Sequence, residues 1–152
     1  MKISHYLKKE ACIMKLGATN KEEAIREVAS ALASSGRLID EEQFIRDVLG
    51  RESLGSTGIG HNIGIPHART KAVKSFVIGF GKSDAGIDFQ SLDGQKVNLV
   101  FLMGADPKEL NLYLRLLAEL SKLLMNESFR KELLSAHEAD RIVEVIRKFE
   151  GS

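Results

Sequence analysis

Cysteine is nearly absent from this chain of 152 residues: Cys12 stands alone. No disulfide can therefore close within the chain and no cysteine-based zinc cluster can assemble, and Cys12 reads as a small buried apolar residue. An excess of either charge is also missing, since 22 Lys and Arg against 21 Asp and Glu leave a net charge of +1. Such a balance gives no long-range attraction to nucleic acid or to an anionic membrane. No apolar run approaches the roughly 18 to 20 residues that a membrane helix needs, and the N-terminus has no hydrophobic signal core, so membrane insertion is not expected. Repeats, low-complexity tracts and linkers are lacking too. These exclusions predict one globular domain over residues 1–152, at home in a reducing cytoplasm, and a chain of this length is enough for one core but not for two.

What is present is an alternation of helical and extended patterns. Residues 3–10 predict a short opening helix and residues 12–16 a brief strand ended by Gly17. Thr19-Asn20-Lys21-Glu22 has capping-box spacing; behind it Ile25, Val28, Ala29 and Leu32 recur at helical intervals up to Gly36, a fitting C′ residue. Asp40-Glu41-Glu42-Gln43 opens a second helix with Phe44, Ile45, Val48 and Leu49 inside, ending on Arg51-Glu52. Residues 75–80 are β-branched and aromatic and predict a strand, whereas residues 84–95, holding Gly86, Asp88, Asp93 and Gly94, predict a turn or short irregular pair with Ile87 and Phe89 inward. Residues 97–103 form the most apolar segment and predict a central strand. Asp106-Pro107-Lys108-Glu109 carries the signals of a helix start, and Leu110, Leu114, Leu117, Leu120, Leu123 and Leu124 mark the inner face of the helix that follows. Two shorter helices, residues 127–136 and 138–149, close the chain. Strands interleaved with helices predict an α/β layered domain, helices packed on a small sheet.

The chemistry is concentrated in Leu54-Gly55-Ser56-Thr57-Gly58-Ile59-Gly60-His61-Asn62-Ile63-Gly64-Ile65-Pro66-His67-Ala68-Arg69, which holds four glycines, Pro66, two histidines and an arginine. Glycine permits tight turns and Pro66 fixes its own φ, so the stretch predicts a stiff loop that presents His67. A neutral imidazole is a competent nucleophile near pH 7 and can attack phosphorus without a separate base. Phosphoryl transfer then needs donors around the oxygens, which loop amides and Arg51 or Arg69 would supply. Taken alone, Arg51-Glu52 also reads as a solvated helix end, and a structural role for His61 or His67 is as open as a chemical one. A metal site is not expected, because His61 and His67 are six apart in a loop with no companion cysteines or carboxylates. Gly58-Ile59-Gly60 lacks the third glycine of a dinucleotide fingerprint, and no Walker loop is present, so no organic cofactor is expected either. His5 and His137 lie on helix patterns and read as surface residues.

The run Arg51-Glu52-Ser53-Leu54-Gly55-Ser56-Thr57-Gly58-Ile59-Gly60, continued by Ile63-Gly64-Ile65-Pro66-His67, resembles the signature of the fructose/mannitol-type (type 2) enzyme IIA domains. These belong to the bacterial phosphoenolpyruvate-dependent sugar phosphotransferase system, and the family includes the nitrogen-regulatory enzyme IIA. The likeness extends through Thr19-Asn20-Lys21-Glu22-Glu23-Ala24, Leu116-Leu117-Ala118-Glu119-Leu120-Ser121-Lys122-Leu123-Leu124 and the closing helices. It implies a small mixed β-sheet flanked by helices, of the phosphotransferase/anion-transport-protein kind. It also implies that His67 is phosphorylated by the phosphohistidine of an HPr-type phosphocarrier protein while Arg51 stabilises the phosphoryl group. From His67 the group would pass to a cysteine of an enzyme IIB domain or, in the nitrogen-regulatory branch, set a state that regulated proteins read. Two positions depart from the family pattern. Tyr113 stands where a second histidine is usual, and His61-Asn62 where Asn-Gly is usual. The Tyr113 hydroxyl can donate a hydrogen bond but cannot become a cation, which leaves His61 as a candidate for part of that role.

Overall fold

The computed structural model describes residues 2–151. Its elements run β1 (Cys12–Ile13), α1 (Lys21–Ser34), α2 (Glu41–Glu52), β2 (Gly58–Gly60), β3 (Ile63–Gly64) and β4 (His67–Arg69). The second half continues with β5 (Val77–Ile87), β6 (Val97–Ala105), α3 (Leu110–Leu124), α4 (Glu127–Ser135) and α5 (Ala139–Glu150). β6 is the axis of one mixed sheet. β5 pairs antiparallel with it on one side; β3 and then β4 pair parallel with it on the other. β1 lies parallel to β5, and β2 folds back antiparallel on β3.

Side chains alternate across this sheet and divide the core between its faces. Ile78, Phe80, Leu99, Phe101 and Met103 pack with Tyr113, Leu116, Leu120, Phe129 and Ile146 of α3, α4 and α5. Val77 and Leu102 face the other way, onto Ile25, Val28, Phe44 and Val48 of α1 and α2. Helices thus cover both faces of the sheet, the α/β layering that the sequence pattern predicts.

Local signals explain most helix ends. Asp40 caps α2 by accepting from the Gln43 N–H at 3.1 Å. Gly36, at φ 76°, follows α1, and the bonds from Gly36 N to Ala33 O and Arg37 N to Leu32 O complete a Schellman motif. The first box is displaced by one residue: Asn20 is the cap, accepting from Glu23 N, and the Glu23 carboxylate reaches back to Thr19. The expected opening helix is two 3-10 turns, Ile3–His5 and Lys9–Ala11. The strand expected over residues 12–16 keeps only Cys12–Ile13 in register, with a single further bond from Leu16 N to Lys82 O. β5 runs past the expected end at residue 80 to Ile87, its register shifting between Lys82 and Ile87, and both Ile87 and Phe89 are buried.

The inner face of α3 is in part the one expected, with Leu120 and Leu124 in the core and Leu117 and Leu123 packed against it, but it is rotated towards Tyr113 and Leu116. Tyr113, Leu116, Leu120 and Leu124 are buried, whereas Leu110 and Leu114 are 38% and 51% exposed. Leucines occur on both sides of this helix, so their spacing does not identify the side that meets the sheet.

A candidate phosphoryl-acceptor site at the open edge of the sheet

The glycine-rich stretch is not a free loop. Its first half is a hairpin, β2 and β3, whose tip residues His61 and Asn62 have φ of 54° and 65°, as a two-residue primed turn requires. Its second half is β4, carrying His67 at its first position. β3 and β4 lie end to end along β6: Ile63 is opposite Leu99 and His67 opposite Met103, about 13 Å further along at some 3.3 Å per residue. His61 is exposed at the hairpin tip, before Ile63. The structure therefore places His61 outside the cleft that His67 lines.

His67, Arg51 and Tyr113 do come together. They share a cleft of about 730 Å³ with Asp47, Leu54, Arg69, Pro107, Leu110 and Leu114. The cleft lies between the end of α2 and the start of α3. Among the described residues β4 pairs with β6 alone, which leaves its other edge open. Met103 N donates to Pro66 O and Thr70 N to Ala105 O; because every second residue of a parallel strand faces its partner, the main-chain groups of His67 and Arg69 face the open edge.

The imidazole is half-buried, with Nδ1 2.7 Å from Ile65 O. A carbonyl can only accept, so Nδ1 carries the proton and the Nε2 lone pair is left available. Burial holds the ring's pKa below the usual 6.5; the Ile65 carbonyl opposes this, Arg51 reinforces it, and Glu52 opposes it. His67 is thus neutral at pH 7, with Nε2 unprotonated. The Tyr113 ring lies 5.9 Å away, centroid to centroid and tilted by 54°. Burial pushes its hydroxyl up to about 12 against the pull of Arg69 and Arg51, so it remains a neutral donor.

The residues that hold this geometry include one pair that the sequence does not reveal. Glu52, at the end of α2, is buried rather than solvated. Its carboxylate accepts from Lys21 Nζ at 2.9 Å and from the Thr57 N–H and hydroxyl, fastening α2 to α1 and to the residue just before the hairpin. Lys21 also sits 5.3 Å from the Phe89 ring centroid. Arg51, one residue earlier, donates to Gly55 O at 3.1 Å. Asp47 accepts from Gln43 and from the Thr70 hydroxyl, tying α2 to the end of β4. Glu52 had a local signal, its place beside Arg51, but its partner Lys21 is 31 positions away.

Cys12 is half-buried, and desolvation, with Glu10 adding to it, pushes its thiol up to about 12. Among the described residues no helix is long and apolar enough to cross a membrane.

Comparison with known proteins gives this geometry a context. The model of a family described as "Phosphoenolpyruvate-dependent sugar phosphotransferase system, EIIA 2" matches residues 5–149. The chain is 41% identical over 148 residues to the PTS system fructose-specific EIIABC component of Bacillus subtilis, a match covering 97% of this chain and 23% of that protein. It is 32% identical over 147 residues to a nitrogen regulatory protein of Bradyrhizobium diazoefficiens, covering 96% of this chain and 95% of that one. Among solved structures, enzyme IIAMTL in its complex with phosphorylated enzyme IIBMTL from Escherichia coli superposes with a TM-score of 0.78 at 24% identity, over 93% of this chain and 99% of that one. At that identity the superposition speaks to the fold.

Proposed function

The chain belongs to the EIIA type 2 family of the phosphoenolpyruvate-dependent sugar phosphotransferase system, and from that membership we propose that it is a phosphoryl carrier whose acceptor atom is Nε2 of His67. The observation that carries the assignment is the bond from Nδ1 to Ile65 O, which leaves Nε2 unprotonated in a cleft lined by Arg51. In the proposed step the Nε2 lone pair bonds to phosphorus as the P–N bond of a donor phosphohistidine breaks. The bonding pair stays with the departing imidazole. No proton has to leave His67, and the positive charge that the ring acquires is shared with Nδ1–H, whose bond to Ile65 O then strengthens. Arg51 and the open-edge amides of β4 face the phosphoryl oxygens, where charge is greatest during transfer. Onward transfer reverses these roles, with the imidazole leaving as a thiolate attacks.

The donor under this reading is an HPr-type phosphocarrier protein and the acceptor an enzyme IIB domain of a fructose/mannitol-type transporter, in the cytoplasm, with residues 1–152 acting as one module and needing no cofactor. The identity to a fructose-specific relative supports the sugar branch. Incubation with phosphoenolpyruvate, enzyme I and HPr is expected to give an acid-labile, base-stable phosphoprotein. Retention of that label in His67→Ala would overturn the assignment.

A second reading is supported by the nitrogen regulatory relative, which this chain matches over nearly its whole length. Here the phosphorylation state of His67 is a signal read by regulated proteins. Pulldowns comparing wild type, His67→Ala and His67→Asp separate the two: a partner that distinguishes these forms supports the switch, and indifference of every partner counts against it.

A further inference from the structure

The cleft contains a second cation that the transfer step above does not use. Arg69 lies two residues beyond His67 on β4 and sits opposite Ala105 as His67 sits opposite Met103. Alternation along a strand therefore sends both side chains to the same face, the one where Met103, Ala105 and Tyr113 share a hydrophobic cluster. Arg69 is exposed, lines the same cleft as His67, and its charge reaches Tyr113 together with that of Arg51.

The other charged groups nearby have partners. Lys21 is held by Glu52, Arg51 donates to Gly55 O, and the Asp47 carboxylate in the cleft wall is taken by Gln43 and Thr70. Among the described residues nothing forms an ion pair or side-chain hydrogen bond with Arg69. An unpaired guanidinium, two residues from a nucleophile and on the same face, has its whole set of N–H donors free for an incoming anion.

Resting on the phosphoryl-carrier reading, we propose that Arg69 is a catalytic residue of the transfer: it closes a two-arginine clamp on the phosphoryl group, Arg51 reaching in from the end of α2 and Arg69 from β4, with the neutral Tyr113 beside them. The three equatorial oxygens of a phosphoryl group in flight share its charge, and guanidinium forks match that arrangement. A guanidinium as a chemical group keeps its charge across the working pH range. An imidazolium in the same place would lose its charge near neutrality.

The test uses the full chain with phosphoenolpyruvate, enzyme I and HPr as the donor system. Arg69→Ala is expected to lower kcat for phosphorylation of His67 by about 100-fold, the scale on which removing one preorganised transition-state donor acts. Arg69→Lys should fall between Arg69→Ala and wild type. Arg69→His should work at acid pH and lose rate through the histidine range relative to wild type, a dependence that a merely structural role would not create. Thermal unfolding should be unchanged, because the side chain is exposed and unpaired. A wild-type rate in Arg69→Ala across pH 6–9 overturns the clamp alone. So does a rise in KM for the donor with kcat unchanged, which would make Arg69 a docking residue. Absence of label on wild-type His67 overturns the carrier reading, and the clamp with it.

Discussion

The orientation of one imidazole decides what this cleft can do. The Ile65 carbonyl selects the Nδ1–H tautomer, and partial burial next to Arg51 keeps the ring neutral. An NMR titration of the His67 ring should therefore give a midpoint below 6.5, and Arg51→Ala should move it up, since the guanidinium disfavours the imidazolium. Under the proposed carrier role, competence as an acceptor should follow the neutral fraction, rising with pH through that midpoint and level at pH 7 and above. The same depression makes folding stability rise with pH between the folded midpoint and 6.5, where the unfolded chain binds more protons. Tyr113 has a separable contribution. Its ring belongs to the core, whereas its hydroxyl stays protonated up to about 12 and is available as a donor. Tyr113→Phe should leave the unfolding temperature nearly unaltered and slow phosphorylation about 5-fold, the value of one neutral hydrogen bond. An unchanged rate would assign Tyr113 to packing alone.

At the scale of elements, the end of α2 is the part on which the site depends. Glu52 joins α1, α2 and Thr57 through a buried carboxylate, with Arg51 next to it. Removing one member of such a pair strands the other, at a cost of about 3 kcal/mol. Glu52→Ala should lower the unfolding temperature accordingly and also slow phosphorylation, because Arg51 loses its fixed base; Glu52→Gln, which can still accept from Thr57, should lose less on both counts. Loss of stability with full transfer rate would separate the anchor from the site. Helix starts and stops were legible in the sequence because they are local: Asp40 with Gln43, and Gly36 after Ser35, lie within one turn of what they satisfy. His67 and Arg51 were legible for a related reason, flanking one motif. The burial of Glu52 was not, since its cause is Lys21. Nor was the separation of His61 from His67, which follows from pairing with β6, a strand more than 30 residues later. Leucine spacing likewise put Leu110 and Leu114 inside together with Leu120 and Leu124, and the packing of Tyr113 and Leu116 against the sheet shows which side is covered.

For the molecule as a whole, the layered architecture leaves the ends of α2 and α3 and the free edge of β4 around one opening. Both helical layers reach that opening, so a reactive side chain is held by two halves of the core while its outer atom stays accessible. Exposed Leu54, Leu110 and Leu114 surround it and give a visiting protein an apolar rim. The consequence is kinetic. If His67 is the acceptor proposed above, one atom at one opening can be approached by a single macromolecule at a time, so donor and acceptor must take turns. Initial rates measured at several fixed acceptor concentrations should give parallel double-reciprocal lines, the pattern of a ping-pong mechanism. Dephosphorylated donor should then act as a competitive inhibitor against the acceptor. Intersecting lines would mean a ternary complex, which an opening of this form does not accommodate.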